Sequence, residues 1–149
     1  MSTQFTRYTS YNQYVHDGTI NLNKTGKVML ALVTSEYVFS AAHTIFDNGA
    51  DDATDPSHCE VATGDGYTTG GAALASLSVN TTRFDSADVT WTGLTKTFRG
   101  AVLFINDTVG GVAKPLIGYV LFDSTPADIS ITGGDFTCQV AAAGWISYT

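Results

Sequence analysis

The side chains best suited to chemistry lie between residues 43 and 71. Asp47, Asp51, Asp52 and Asp55 form the densest run of charge in the chain. A hard cation such as calcium takes about six to eight oxygen ligands, and an Asp-rich loop can offer several. The spacing departs from the EF-hand pattern of alternating acids closed by a glutamate. The expectation is therefore a solvated loop kept out of the core by its charge. His58-Cys59-Glu60 sets three ligand types in a row, with His43 upstream. Neighbours on an extended segment face opposite sides, and no second Cys or His pair completes a zinc set. Ser, His and Asp occur without a G-x-S-x-G elbow, and sequence-adjacent His58 and Cys59 point apart rather than forming an activated thiol. With only Glu36 and Glu60 among the glutamates, no carboxylate pair suggests glycoside hydrolysis. Gly64-Asp65-Gly66 and Gly70-Gly71 lack the phosphate-loop spacing and read as turns. The sequence predicts no catalytic residue, no metal ligand and no cofactor, so a protein that is not an enzyme.

The aromatic residues carry more information. Phe5, Tyr8, Tyr11 and Tyr14 recur every third residue. On an α-helix that spacing drifts by about 60° per step, so the four cannot share one narrow face. Tyr8, Tyr11 and Val15 can share one, and a three-fold extended coil aligns all four. Two readings stand side by side. The segment from Ser2 to Val15 either lies over its own domain or forms an arm that reaches a neighbour. Phe5, Tyr8, Tyr11 and Tyr14 are the candidate interface residues, because tyrosine buries its ring while its hydroxyl keeps a hydrogen bond.

The elements that must position these groups are strands. The 149 residues include 22 Thr and 15 Gly against two Glu and four Lys, a composition that starves helices and suits strands and turns. Val28 to Val33, Ala101 to Ile105 and Leu116 to Phe122 are continuously or nearly continuously apolar, the pattern of strands covered on two sides. Ala72 to Val79, Asp88 to Trp91 and Phe136 to Val140 alternate, and Trp145 to Tyr148 reads as a closing strand. Glycine pairs at 110–111 and 133–134 and the Asn106-Asp107 and Lys114-Pro115 steps read as turns. Short strands at close spacing favour an all-β antiparallel sandwich, jelly-roll-like, as one domain over residues 1–149. Residues 39–71 form an excursion from it, with a short helical stretch expected near residues 40–46. The expected core is Leu30, Leu32, Val89, Trp91, Val102, Phe104, Ile117, Tyr119, Phe136 and Val140.

Charge narrows the partners. Seven Lys and Arg against 14 Asp and Glu give a formal charge of −7. Such a chain cannot neutralise a run of phosphates, so neither nucleic acid nor an anionic membrane surface is an expected partner. Met1-Ser2-Thr3-Gln4 has no basic region leading into an apolar stretch, so no signal peptide is expected and Cys59 and Cys138 are expected as free thiols.

The order of motifs resembles small structural proteins of tailed bacteriophages. The resemblance runs from Tyr11-Asn12-Gln13-Tyr14 and Gly18-Thr19-Ile20-Asn21-Leu22 through Lys27 to Ser35, Glu60-Val61 and Gly64 to Leu74. Its most distinctive stretch is Phe84-Asp85-Ser86-Ala87-Asp88-Val89-Thr90-Trp91, followed by Thr97 to Phe104, Pro115 to Asp123 and Phe136 to Ile146. The bulky ending Trp145-Ile146-Ser147-Tyr148 departs from the smaller aliphatics expected there. The resemblance implies a virion protein assembled in the host cytoplasm. Its expected role is a capsid decoration, or cement, protein on the capsid surface, with the major capsid protein and itself, as dimer or trimer, for partners. The alternative is a tail or fibre component that binds host glycans, with Tyr67, Trp91 and Trp145 as the aromatics on which sugars would stack. No catalytic or metal residue is implied.

Overall fold

The computed structural model describes residues 4–147. Its elements in chain order are β1 (Gln4–Arg7), α1 (Thr9–His16), β2 (Val28–Val33), β3 (Ala72–Ala73), β4 (Ser78–Val79), β5 (Arg83–Asp85), β6 (Val89–Phe98), β7 (Gly100–Ile105), β8 (Thr108–Val109), β9 (Val112–Ala113), β10 (Leu116–Leu121), β11 (Ile129–Cys138) and β12 (Ile146–Ser147). Every strand pairing is antiparallel. One sheet has five strands in the order β1-β10-β7-β2-β3; facing it are the β11-β6 ribbon and the three short strands β12-β5-β4. The protein is an all-β antiparallel sandwich. Its ladders group as five strands against ribbons of two and three, with β8 and β9 a separate hairpin.

The three apolar runs form the centre of the larger sheet. In β2, Val28, Leu30 and Leu32 face the opposite layer while Met29, Ala31 and Val33 face the other way. In β7, Ala101, Leu103 and Ile105 alternate likewise with Val102 and Phe104. Period-two alternation with apolar residues on both faces requires cover on both faces. The first cover is the β6–β11 ribbon, which contributes Val89, Trp91, Leu94, Phe98 and Phe136. The second is the excursion after β2, which lays Tyr37, Phe39, Phe46 and Cys59 against Ala31, Val33, Val102, Phe104, Leu116 and Tyr119. Of the expected core, all are buried except Val140, which is half-buried against it.

The excursion holds no helix. Residues 40–46 form a turn at Ala41-Ala42 and then an antiparallel bridge between Ile45 and Pro115. The Ser40 hydroxyl accepts the Ala42 N–H and the Ser40 carbonyl accepts the His43 N–H, which closes a turn instead of a helical ladder. The remaining backbone groups pair with distant partners: Phe46 N–H with Lys114 C=O, and Leu116 N–H with Thr44 C=O. The helix lies instead at Thr9–His16, where Tyr11 is buried and Tyr14 and Val15 pack half-buried against the core. Positions i, i+3 and i+4 share a helical face.

Two further expectations are corrected. Ala72 to Val79 is not one strand; Ser76 takes a left-handed φ of +53°, Leu77 is half-buried and Val79 is exposed. Gly133-Gly134 is no turn but lies inside β11, where the register with β6 shifts twice between Ile131 and Phe136. A bulge of this kind bends a ribbon and sharpens its twist. Tyr148, expected in the last strand, and Ser2 and Thr3 of the expected arm lie outside the described residues.

Candidate functional site

The acidic cluster does not converge on a point. Asp55 is almost wholly buried, and its carboxylate accepts the Gly49 N–H, the Ser57 N–H and the Ser57 hydroxyl at 2.8–3.1 Å. Burial opposes its ionisation, but these bonds outweigh that and hold its pKa below the usual carboxylate value. Asp52 accepts the N–H and hydroxyl of Thr54. Asn48 accepts the Ala50 N–H and donates to the Thr54 carbonyl. The solvated-loop expectation is therefore corrected for Asp55, which is the internal anchor of residues 47–58. Among the described residues, no group of three His, Cys, Asp or Glu side chains is arranged to hold a metal ion.

His58, Cys59 and Glu60 diverge, although the segment is not extended as expected: His58 and Cys59 lie in a turn closed by the Cys59 N–H on the Asp55 carbonyl, and only Glu60 bridges to Val33. His58 Nε2 lies 3.6 Å from Glu36 at the surface. The Cys59 thiol is buried beneath the excursion, and burial with nearby Glu36, Asp55 and Asp52 pushes its pKa up to about 11. Such a thiol is a poor nucleophile at neutral pH. Cys138 lies elsewhere, in the sandwich, its pKa pushed up to about 12 by burial and then by Asp88.

Glu60 turns inward to a clasp the sequence did not disclose. Its Oε1 accepts the Tyr67 hydroxyl and the Gly70 N–H, each at 2.6 Å. The Tyr67 oxygen in turn accepts the Leu32 N–H at 3.0 Å. The 60–70 loop is thereby tied to the middle of β2. Burial raises the Glu60 pKa, and the two bonds offset only part of that.

A second buried polar chain links three elements. The Tyr8 and Tyr37 hydroxyls lie 2.8 Å apart, and the Tyr37 hydroxyl lies 2.8 Å from His43 Nδ1. Burial raises the pKa of both tyrosines and lowers that of His43, with Asp52 partly opposing the last effect. Phe39 stacks on Tyr119 beside the chain, at 5.0 Å between ring centres. Only the fold brings together residues 29 positions apart, so no local spacing could have signalled this contact.

The four candidate interface aromatics part company. Tyr8 is 0% exposed and Tyr11 is 1% exposed, both in the chain's own core. Neither has surface to offer a neighbour, which corrects the interface expectation for these two. Phe5 and Tyr14 are half-buried against the core. Phe5 sits over Gly118, where any side chain would run into the Phe5 ring. The glycan-stacking candidates are also corrected: Tyr67, Trp91 and Trp145 are all buried, none more than 8% exposed.

The most regular exposed surface is the outer face of the β6–β11 ribbon. Thr90, Thr92, Thr95 and Thr97 on one strand stand beside Ser130, Thr132, Asp135 and Thr137 on the other, all exposed. Thr90 and Thr137 hydroxyls lie 2.8 Å apart, as do those of Thr97 and Ser130. At the bulge, the Gly133 N–H donates to the Thr95 hydroxyl and the Gly93 N–H to Asp135. The surface is thus a plate of hydroxyls and one carboxylate, in which Thr90, Thr95, Thr97, Ser130, Asp135 and Thr137 are held by bonds across the two strands.

Fold and surface together define an antiparallel β-sandwich with a third, irregular layer and a hydroxyl-lined ribbon. Comparison with known proteins finds no matching family model, no matching curated relative and no matching solved structure.

Proposed function

We propose that this protein is a structural component of a tailed-phage particle, a decoration protein that sits on the outside of the major capsid lattice and stabilises it. The reading combines the sequence resemblance with one observation, the exposed plate of β6 and β11. Threonine is stiff at χ1, and these side chains are further pinned by cross-strand bonds. Docking such a surface sacrifices little side-chain entropy, whereas a surface of Lys and Glu would sacrifice more. The plate also carries hydroxyl donors and acceptors suited to the polar rim of a lattice subunit. Cover on both faces of the central sheet makes the support beneath it stiff.

Gel densitometry of purified particles against the major capsid protein tests the proposal. A decoration protein is present in hundreds of copies, on the order of the lattice itself, and a tail or fibre component in a handful. A chain with Thr90→Lys and Thr137→Glu should keep its melting temperature and lose binding to emptied particles. Binding that survives those substitutions removes the plate from the interface, and a low copy number removes the capsid reading altogether.

A further inference from the structure

β1 is an outermost strand of the five-stranded sheet, and among the described residues no strand lies along its outer edge. The Tyr8 N–H donates to the Ile117 carbonyl, which continues the β1–β10 register by one step. Bonded and non-bonded pairs alternate along an antiparallel ladder. Gln4 and Thr6 therefore turn their peptide groups toward β10, while Phe5 and Arg7 turn theirs outward. The free edge presents two donors and two acceptors at the spacing of another strand.

Beside this edge a groove of about 340 Å³ opens between Phe5, Val120, Val140, Ala141 and Trp145. The Phe5 and Trp145 rings lie 5.7 Å apart, inclined by 59°. Arg7 stands on the same face of β1 as Phe5, two residues along, and is exposed. Lys24, Arg83, Lys96 and Arg99 each lie within 4 Å of a carboxylate. Among the described residues Arg7, Lys27 and Lys114 have no such partner, although the chain holds twice as many acids as bases, and of these three only Arg7 stands on the open edge.

The geometry points to a second copy of this chain as the partner of that edge, β1 against β1, antiparallel about a two-fold axis at Thr6. Of the symmetric registers within Gln4–Arg7, this one alone uses all four outward groups: Phe5 exchanges both backbone hydrogen bonds with the partner's Arg7, and Arg7 with the partner's Phe5. Pairing Arg7 with the partner's Arg7 would oppose like charges. In the Thr6-centred register each guanidinium lies over the Phe5 ring at the mouth of the other copy's groove, with Trp145 behind it, a cation–π arrangement. The contact is self-complementary, as a two-fold interface must be. The rival account makes Arg7 a guard charge that keeps an exposed edge from pairing. The pairing does not depend on the capsid reading.

Sedimentation equilibrium of the full chain over a range of concentrations decides between them. The expected result is a reversible dimer of twice the 15.7 kDa chain mass. Arg7→Pro removes both the outward N–H and the cation at an edge position that tolerates proline. It should weaken the dimer at least about tenfold, the effect of losing two hydrogen bonds and two cation–π contacts, while the monomer's melting temperature holds. Arg7→Glu keeps the peptide group and should also weaken the dimer; it decides alone if the proline variant does not fold. A wild-type chain that stays monomeric throughout overturns the inference. So does a dimer whose dissociation constant is unchanged in the folded variants, which would place the contact on another face. Particle copy number is unaffected by either outcome, so this inference and the capsid reading fail separately.

Discussion

Replacing Phe46 with alanine tests whether the excursion is a true third layer. Phe46 is 3% exposed, and its ring stacks on Phe104 at 3.9 Å, within 6° of parallel. Its backbone bonds, donating to Lys114 and accepting from Ser57, survive the substitution, so the change isolates the ring. Truncating a buried Phe to Ala costs about 3–5 kcal/mol. The excursion can partly collapse into the space, which places the expected loss near the lower end, about 3 kcal/mol. Against a typical stability of about 5–15 kcal/mol the variant stays folded at room temperature. For a domain of this size, a loss of that order lowers the melting temperature by about 6–12 °C. Urea unfolding should move to a lower midpoint with an unchanged slope, since the same surface is exposed. Val38→Ala is the control in the same segment: Val38 is 62% exposed and its loss should stay within about 0.5 kcal/mol. If the two variants are equally stable, the segment is merely draped over the sheet and the second core is not real.

Tyr67→Phe should cost about 1–3 kcal/mol in urea unfolding, because it strands the buried Leu32 N–H and removes a donor from Glu60; a loss below about 0.5 kcal/mol would mean that the clasp contributes little. The lowered pKa of His43 means that the unfolded chain takes up a proton first as pH falls. Stability from this group should be complete above the ordinary histidine value of about 6.5 and decline below it toward the lowered folded value. Glu60, with its raised pKa, acts in the opposite sense, so the test compares melting curves of the wild type and His43→Gln across the same pH range. The glutamine keeps an acceptor for Tyr37, and the acid-side loss of stability should be smaller in the variant; parallel curves would remove His43 from the account.

The strands at the heart of the sandwich were legible in the sequence. Val28–Val33, Gly100–Ile105 and Leu116–Leu121 are apolar on both faces, and only a strand covered twice satisfies that pattern. Trp91 and Phe136 were legible for the same local reason, alternating with Thr90 and Thr137 along their strands. The N-terminal aromatics were not. A spacing of three matches neither the strand period nor the helix period, and the structure divides the segment, with Phe5 in a strand and Tyr11 and Tyr14 on a helix. What decided it was the open edge of β10, which the first strand completes. The Tyr8–Tyr37–His43 chain, the Glu60–Tyr67 clasp and the threonine plate share that origin. Each joins residues whose meeting depends on how sheets and loops stack, and side-chain periodicity carries no information about such partners. Local pattern determined which segments are strands and which faces are apolar, because burial imposes its period on neighbouring residues. Only tertiary packing decided what covers each face, which polar groups meet beneath it and which edge stays open.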